Sequence, residues 1–257
     1  MVYYFSGTGN SAYVAKTISN LLGTSLKFIP SVSTEREIHD GSDLILVFPV
    51  YAWGVPPLII DFIHKMDLSY FDELKRNQNN VWVIMTCGDE VALAPEMIEK
   101  AFDKKEIKIT GIWSVIMPNN YVLLPGFDVD PYDVEQKKLE EVPSRILEIA
   151  TSISSGNKCF DVVRGKFKWI KTKLIYPLFR KWGIIDRKWH PLPDCISCGR
   201  CASVCPNKNI LMKKQLPSWG KNCCSCLACY HICPVHAVAY GKSTLKKGQY
   251  YFPLKMK

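Results

Sequence analysis

Nine of the chain's 11 cysteines fall between Cys195 and Cys233, and eight of those nine are regularly spaced. Cys195, Cys198, Cys201 and Cys205 are spaced C-x2-C-x2-C-x3-C, with Pro206 next. Cys223, Cys226, Cys229 and Cys233 repeat the run, with Pro234 next. Each cysteine of the second run lies 28 residues after its counterpart, so the segment is an internal duplication. Three thiols at steps of three wrap one loop around three corners of an iron–sulfur cubane. The fourth thiol starts a new segment and ligates the other cluster. The expected ligand sets are therefore Cys195, Cys198, Cys201 and Cys233 for one [4Fe-4S] cluster, and Cys223, Cys226, Cys229 and Cys205 for a second. Paired zinc knuckles would need only four ligands per ion, as two CxxC steps set further apart. Cys87, Cys159 and Cys224 stand outside the pattern and are expected as free thiols. His231 and His236 are expected to be packed or exposed rather than ligating.

A second chemistry-bearing stretch opens the chain. Ser6, Gly7, Thr8, Gly9, Asn10 and Ser11 join an apolar strand to a helix. Glycines let backbone amides approach an anion at a helix N-terminus, where the dipole favours negative charge. The hydroxyls and the asparagine amide add donors, so the loop is read as a phosphate cradle. Gly7, Gly9 and Ala12 also fit G-x-G-x-x-A, but Phe28, Ile29 and Pro30 stand where a dinucleotide site would place an acid. The P-loop lysine pattern is absent.

The elements that must position these groups alternate. Met1–Phe5, Ser25–Ile29, Leu44–Phe48, Val81–Thr86 and Ile107–Met117 are apolar runs, as in strands buried on both faces. Helical patterns separate them, with Pro56, Pro57 and Pro95 suited to first helical turns. Five strands so arranged predict an α/β, doubly wound parallel sheet, with ligands bound beyond the strands' carboxyl ends. The uncharged apolar run 44–60 is short for a membrane span and holds Pro49, Gly54, Pro56 and Pro57. No signal peptide is read at the N-terminus, so a cytoplasmic location with reduced thiols is expected.

The stretch "SGTGNS" resembles the phosphate loop of the flavodoxin family, S/T-G-T-G-N-S/T, at every position. The resemblance implies a flavodoxin-like fold and FMN, its phosphate on residues 6–11. It also implies a flavin ring between the loops after the third and fourth strands. Here those carry Pro49, Tyr51, Trp53 and Gly54, then Thr86, Cys87 and Gly88. Tyr51 and Trp53 are the implied stacking aromatics, and Gly54 matches the glycine whose peptide turns toward the ring. The second loop departs from the family in having Cys87-Gly88-Asp89 where a stacking tyrosine is usual. Asn120 and Tyr121, after the last strand, face the same edge. Residues 195–240 look like a bacterial two-[4Fe-4S] ferredoxin, a small α+β domain. The order of the two units resembles a family of flavodoxin–ferredoxin fusions of anaerobic bacteria and archaea, the ferrodoxins. The expected domains are 1–155, flavodoxin-like; 156–189, a basic aromatic linker; and 190–257, ferredoxin-type.

Charge divides along the same line. Residues 1–155 carry 13 Lys+Arg against 21 Asp+Glu, a net of −8, and residues 156–257 carry 20 against 3, a net of +17. Such units are expected to attract one another, with salt weakening the encounter. Within the linker, 166–182 spaces Phe167, Ile170, Leu174 and Leu178 at helical intervals, with Pro177 as a kink. The favoured reading is a connector whose apolar stripe packs on both domains while lysines reach outward. The alternative is peripheral contact with an anionic membrane. Nothing in the pattern points to nucleic acid, and no Ser-His-Asp or paired-carboxylate arrangement favours hydrolysis.

The expected role is electron transfer between one- and two-electron partners in anaerobic metabolism, with redox proteins, acidic ones among them, as partners. The alternatives are an FMN-dependent reductase of a small acceptor, such as a quinone or nitro compound, fed by the clusters, and a non-catalytic redox sensor docking on an acidic or membrane surface.

Overall fold

The strands Val2–Tyr4 (β1), Leu26–Phe28 (β2), Leu44–Pro49 (β3), Val81–Cys87 (β4), Gly111–Ile116 (β5) and Cys159–Asp161 (β6) form one parallel sheet in the order β2-β1-β3-β4-β5-β6. The structure is a computed structural model that describes residues 1–31, 43–182 and 186–252. Residues 183–185 of the expected linker, and Pro253 onward in the expected second domain, lie outside the described residues. The first five strands take the order typical of flavodoxin-like doubly wound sheets. The expectation of five strands is corrected to six. β6 extends the sheet beside β5, with Gly111 opposite Cys159 and Trp113 opposite Asp161. It follows the long helix Tyr132–Ser154, whose Arg145 clamps it by bonding the Asp161 carboxylate at 2.6 Å and the Asp161 carbonyl at 3.0 Å.

Side chains alternate across the sheet as the strand period of two requires. Tyr3, Leu46, Phe48, Val83 and Met85 meet the helices Pro57–Lys65, Leu68–Arg76 and Ala94–Asp103 on one face. Val2, Ile45, Val47, Trp82, Ile84 and Trp113 meet the helices Asn10–Leu22 and Tyr132–Ser154 on the other. Both faces are covered, which is why the strands read as unbroken apolar runs.

The cysteine-rich part is built from short elements. Trp189–Pro191 (β7) pairs antiparallel with Val238–Tyr240 (β10). Ile210–Lys213 (β8) and Leu216–Trp219 (β9) form a hairpin. Its two-residue turn is Lys214-Gln215, both at positive φ, the backbone that matches the twist of paired strands. One-turn helices at Arg200–Ser203 and Ala228–His231 lie within the two cysteine runs and carry Cys201 and Cys229.

The two parts are docked, and the contacts are of short range. Val122 and Leu123, from the loop after β5, are built into the core of the cysteine-rich part beside Trp189, Tyr230 and Tyr240. Lys247 Nζ donates to the carbonyls of Leu124 and Phe127, and the Gly248 amide donates to Asp128 at 2.9 Å. No ion pair joins residues 190–252 to the sheet domain among the described residues. Among the described residues, packing and hydrogen bonds join the units.

The tail returns to the first loop. Phe252 donates its amide to the Thr8 carbonyl at 2.8 Å and stacks on Tyr13, with ring centroids 4.6 Å apart. The Tyr250 hydroxyl donates to Asn10 Oδ1 at 2.6 Å in a buried setting. Tyr250→Phe removes that donor and strands a buried acceptor, so stability falls by roughly 1–3 kcal/mol. Urea unfolding of the two proteins checks this, and equal midpoints would refute it.

Candidate functional site

A cavity of about 760 Å³ opens where β1, β3, β4 and β5 end at their carboxyl edge. Four loops wall it. Ser6, Gly7, Thr8, Asn10 and Ser11 come from the first, and Pro49, Tyr51 and Trp53 from the second. Thr86, Cys87 and Gly88 come from the third, and Asn120 and Tyr121 from the fourth. Gly9 and Gly54 stand outside the lining. Gly9 takes a φ of 101° to start the helix, and a Cβ there would lie 2.6 Å from that of Phe252. Gly54 exchanges two 2.9 Å backbone bonds with Tyr51, and a Cβ on it would strike the Tyr176 ring. Its peptide is thus committed to closing the turn through Ala52 and Trp53, both at positive φ.

The first loop is braced by its own side chains. The Gly9 amide donates to Ser6 Oγ at 3.1 Å. Asn10 donates to the Pro118 carbonyl at 3.0 Å and accepts from Tyr250, so both ends of its amide are engaged in holding the loop. The hydroxyls of Ser11 and Thr86 lie 2.7 Å apart. Thr8 Oγ1 accepts from Asn120 Nδ2 at 2.5 Å, which leaves the threonine O–H free to donate. The amides of Gly7, Thr8, Asn10 and Ser11 meet no protein acceptor among the described residues. Four amides, one hydroxyl donor and a helix N-terminus make a phosphate-sized cradle.

The phenolic oxygens of Tyr51 and Tyr121 are buried without a partner, and both residues line the cavity. Burial, then the nearby thiols of Cys226, Cys224 and Cys223, push the Tyr51 phenol well above its ordinary value. Burial likewise raises Tyr121 and Cys87. Both tyrosines thus remain protonated donors with unmet capacity. The arrangement suits a planar aromatic group capped by a phosphate.

The eight motif cysteines repeat their backbone as well as their spacing. Ser197 and Ser225 have φ of 57° and 60°, Gly199 and Leu227 of 71° and 60°, and Lys208 and His236 of 48° and 53°. Each pair is 28 residues apart, so the left-handed turns that curl the chain are duplicated. Asn209 donates its amide to Cys205 Sγ at 3.2 Å, and Ala237 donates to Cys233 Sγ at 3.1 Å, again 28 residues apart. Such bonds stabilise thiolate charge.

The thiols fall into two groups. Burial raises Cys201, and its thiol neighbours are Cys195, Cys233 and Cys198. Burial pushes Cys223 up to about 12, with Cys226 and Cys205 beside it. Cys229 is raised by burial and by Cys226, Cys223 and Cys205. The fourth cysteine of each run is therefore brought to the other run's first three. Among the described residues no three His, Cys, Asp or Glu side chains converge as ligands of a single ion. The S–H of Cys224 donates to Cys226, which holds Cys226 below and Cys224 above the ordinary thiol range. Cys159 lies in β6.

Cys226 also lines the cavity of the first loop. A Cβ built on Gly7 would fall 2.2 Å from the Cys226 carbonyl oxygen, so only glycine allows this approach. The second cysteine run thus touches the loop after β1.

Residues 194–211 match the 4Fe-4S binding domain family. The chain therefore carries a 4Fe-4S binding domain, a module of iron–sulfur electron transfer, over the first cysteine run. No curated protein matches the chain. Among solved structures it is similar to Trp repressor binding protein from Bacillus subtilis, with 17% identity and a TM-score of 0.37, over 57% of this chain and 96% of that one. No described helix is long and apolar enough to cross a membrane.

Several site residues carry no local signal. His231 is buried, accepts the Tyr250 amide at Nδ1 (3.0 Å) and meets the Asn120 carbonyl at Nε2 (2.7 Å). It staples the fourth loop to the tail as a neutral ring, its pKa lowered by burial to about 4. Asp130 braces the same loop, accepting from the Asn119 amide at 2.9 Å and from Lys138 at 2.7 Å. Burial pushes the Asp130 carboxyl upward, but the bonds from Lys138 and Asn119 outweigh it and its pKa is lowered. The ionised pair thus adds stability above the ordinary carboxylate range and loses it as pH falls through the lowered folded value. Asp130→Asn should cost roughly 1–3 kcal/mol at neutral pH, with the deficit shrinking in acid. Urea midpoints across pH check this, and a deficit independent of pH would refute the pair as its cause.

Proposed function

We propose that the chain is an electron-transfer protein that holds FMN in the cavity and two [4Fe-4S] clusters on the interleaved cysteines. The observation that carries this reading is Cys226: one cysteine of the duplicated motif lines the same cavity as the phosphate cradle. FMN takes up two electrons one at a time and each cluster passes one, so together they join one-electron to two-electron partners.

The protein's own residues supply the rest. The amides of Gly7, Thr8, Asn10 and Ser11 and the Thr8 hydroxyl bind the phosphate. Tyr51 and Trp53 wall one side of the ring site, while Cys87, Gly88, Asn120 and Tyr121 wall the other. The unpartnered phenols of Tyr51 and Tyr121 offer hydrogen bonds to the ring's polar edge. Cys195, Cys198, Cys201 and Cys233 bind one cluster, and Cys223, Cys226, Cys229 and Cys205 bind the other. The second-cluster cysteines lie beside Tyr51, so electron exchange with the flavin needs no swing of one domain against the other. The surface of residues 195–257, which holds 10 Lys+Arg and no acid, suits acidic redox proteins as partners.

After anaerobic reconstitution, about eight irons and eight sulfides are expected per chain, with one FMN. Cys198→Ala should lose the first cluster before the second. Thr8→Ala should weaken FMN by roughly 1–3 kcal/mol. Protein that takes up only zinc, or that releases FAD, overturns the cofactor assignment. Flash reduction of the clusters, with flavin absorbance followed, tests the transfer itself. Because the units are docked, the rate should depend neither on protein concentration nor appreciably on salt. A rate proportional to protein concentration would mean transfer between molecules and would refute the internal path.

A further inference from the structure

The helical stretch 168–182 presents the reverse of the face expected from its sequence. It runs through Lys168–Ile170, a π-helical stretch Lys171–Ile175, and Tyr176–Trp182. Its inward side is polar at the contact. Thr172 is 3% exposed, accepts the Leu93 amide at 3.1 Å and donates to the Trp53 carbonyl at 2.7 Å. Tyr176 is 4% exposed, with its hydroxyl on the Val55 carbonyl and its ring on Gly54. The apolar stripe points the other way. Phe167 is 72% exposed, Trp169 64%, Ile170 52% and Leu174 57%. The expected connector, with its stripe packed on both domains, is therefore not what the structure shows.

Large apolar side chains held in water on one helical face mark an interaction surface. Its surroundings indicate what covers it. Between Asp161 and Asp186 there are seven Lys or Arg and no acid. Lys171 and Arg164 are bound to Glu90 and Glu96. Lys166 and Lys173 are exposed beside the stripe, and Lys173 lies over the Trp169 ring at 5.6 Å. Basic residues flanking an exposed Phe, Trp, Ile and Leu face are the composition of a helix that lies in a lipid headgroup layer.

We propose that this stripe docks the protein on an anionic membrane surface. The chain lies on the bilayer by this face without crossing it. Ile175 and Leu178 continue the stripe onto the cavity wall, with Leu124 and Phe127, both more than 40% exposed, beside them. Docking therefore turns the cavity's apolar rim toward the lipid, within reach of an amphiphilic electron acceptor or donor.

Co-sedimentation of the cofactor-loaded full chain with phosphatidylcholine vesicles, with and without phosphatidylglycerol, tests the proposal. Binding is expected to the anionic vesicles and to weaken with salt. Ile170→Ser with Leu174→Ser should weaken it at least tenfold, and Lys166→Gln with Lys173→Gln should do the same. Leu211→Ser, an exposed residue on the β8–β9 hairpin, should leave it unchanged. The positions changed are exposed, so iron and flavin content should match wild type. Protein that stays in the supernatant with anionic vesicles at low salt overturns the proposal. So does binding that the serine pair leaves intact, which would make the attraction one of charge alone. Size-exclusion light scattering that finds a dimer broken by the serine pair assigns the stripe to a second copy instead.

Discussion

The contact between Gly7 and the Cys226 carbonyl is the constraint on which the rest of the arrangement turns. It joins the loop after the first strand to the second cysteine run, more than two hundred residues later. A side chain at Gly7 would occupy the carbonyl's place. The glycine therefore lets the loop turn and also lets another part of the chain lie against it. Around that contact the neighbouring elements are shared between the two units. The loop after β5 gives Asn120 and Tyr121 to the cavity, and Val122 and Leu123 to the core of the cysteine-rich part. His231 holds this loop by a carbonyl and holds the tail by an amide. The units are thus interlocked at the site, and the division at residue 155 is one of composition more than of packing.

What could be read in the sequence was whatever chemistry ties to close spacing. Thiol spacing is a local property, so the two duplicated runs, the first of them inside the 4Fe-4S binding match, follow from residue numbers alone. A tight strand-to-helix turn demands small residues, so the turn from Ser6 to Ser11 was legible too. The parallel sheet showed in apolar runs because both its faces are covered. β6 did not show, since three residues with Phe160 half in water carry no such run.

Contacts across long sequence separations were silent for a different reason. Cys226 in the cavity wall, Tyr250 on Asn10 and Thr172 on Trp53 each depend on how separate elements meet. The stripe from Phe167 to Leu178 illustrates the limit of periodicity. Helical spacing establishes that one face differs from the others, but not whether that face turns in or out. Here the anchoring is done by Thr172 and Tyr176 through hydrogen bonds to backbone carbonyls, so the apolar face is left to water. Gly54 carries a related lesson. It sits at the position the flavodoxin resemblance picks out, but its peptide is spent closing a turn whose strain falls on Ala52 and Trp53.

The tail's return to the opening loop also sets an order of events in synthesis. Asn10 leaves the ribosome early, and the Tyr250 hydroxyl that completes its hydrogen bonding follows 240 residues later. At about 5–20 residues per second, that interval is on the order of tens of seconds. For that time the sheet can assemble around a cradle whose outer side is open, with Thr8 lacking the amide of Phe252 and Tyr13 lacking its stacked ring. The loop takes its finished form only once the cysteine-rich segment has been made and has folded back over it. A nascent chain thus keeps this loop unfinished until the part that shares it exists.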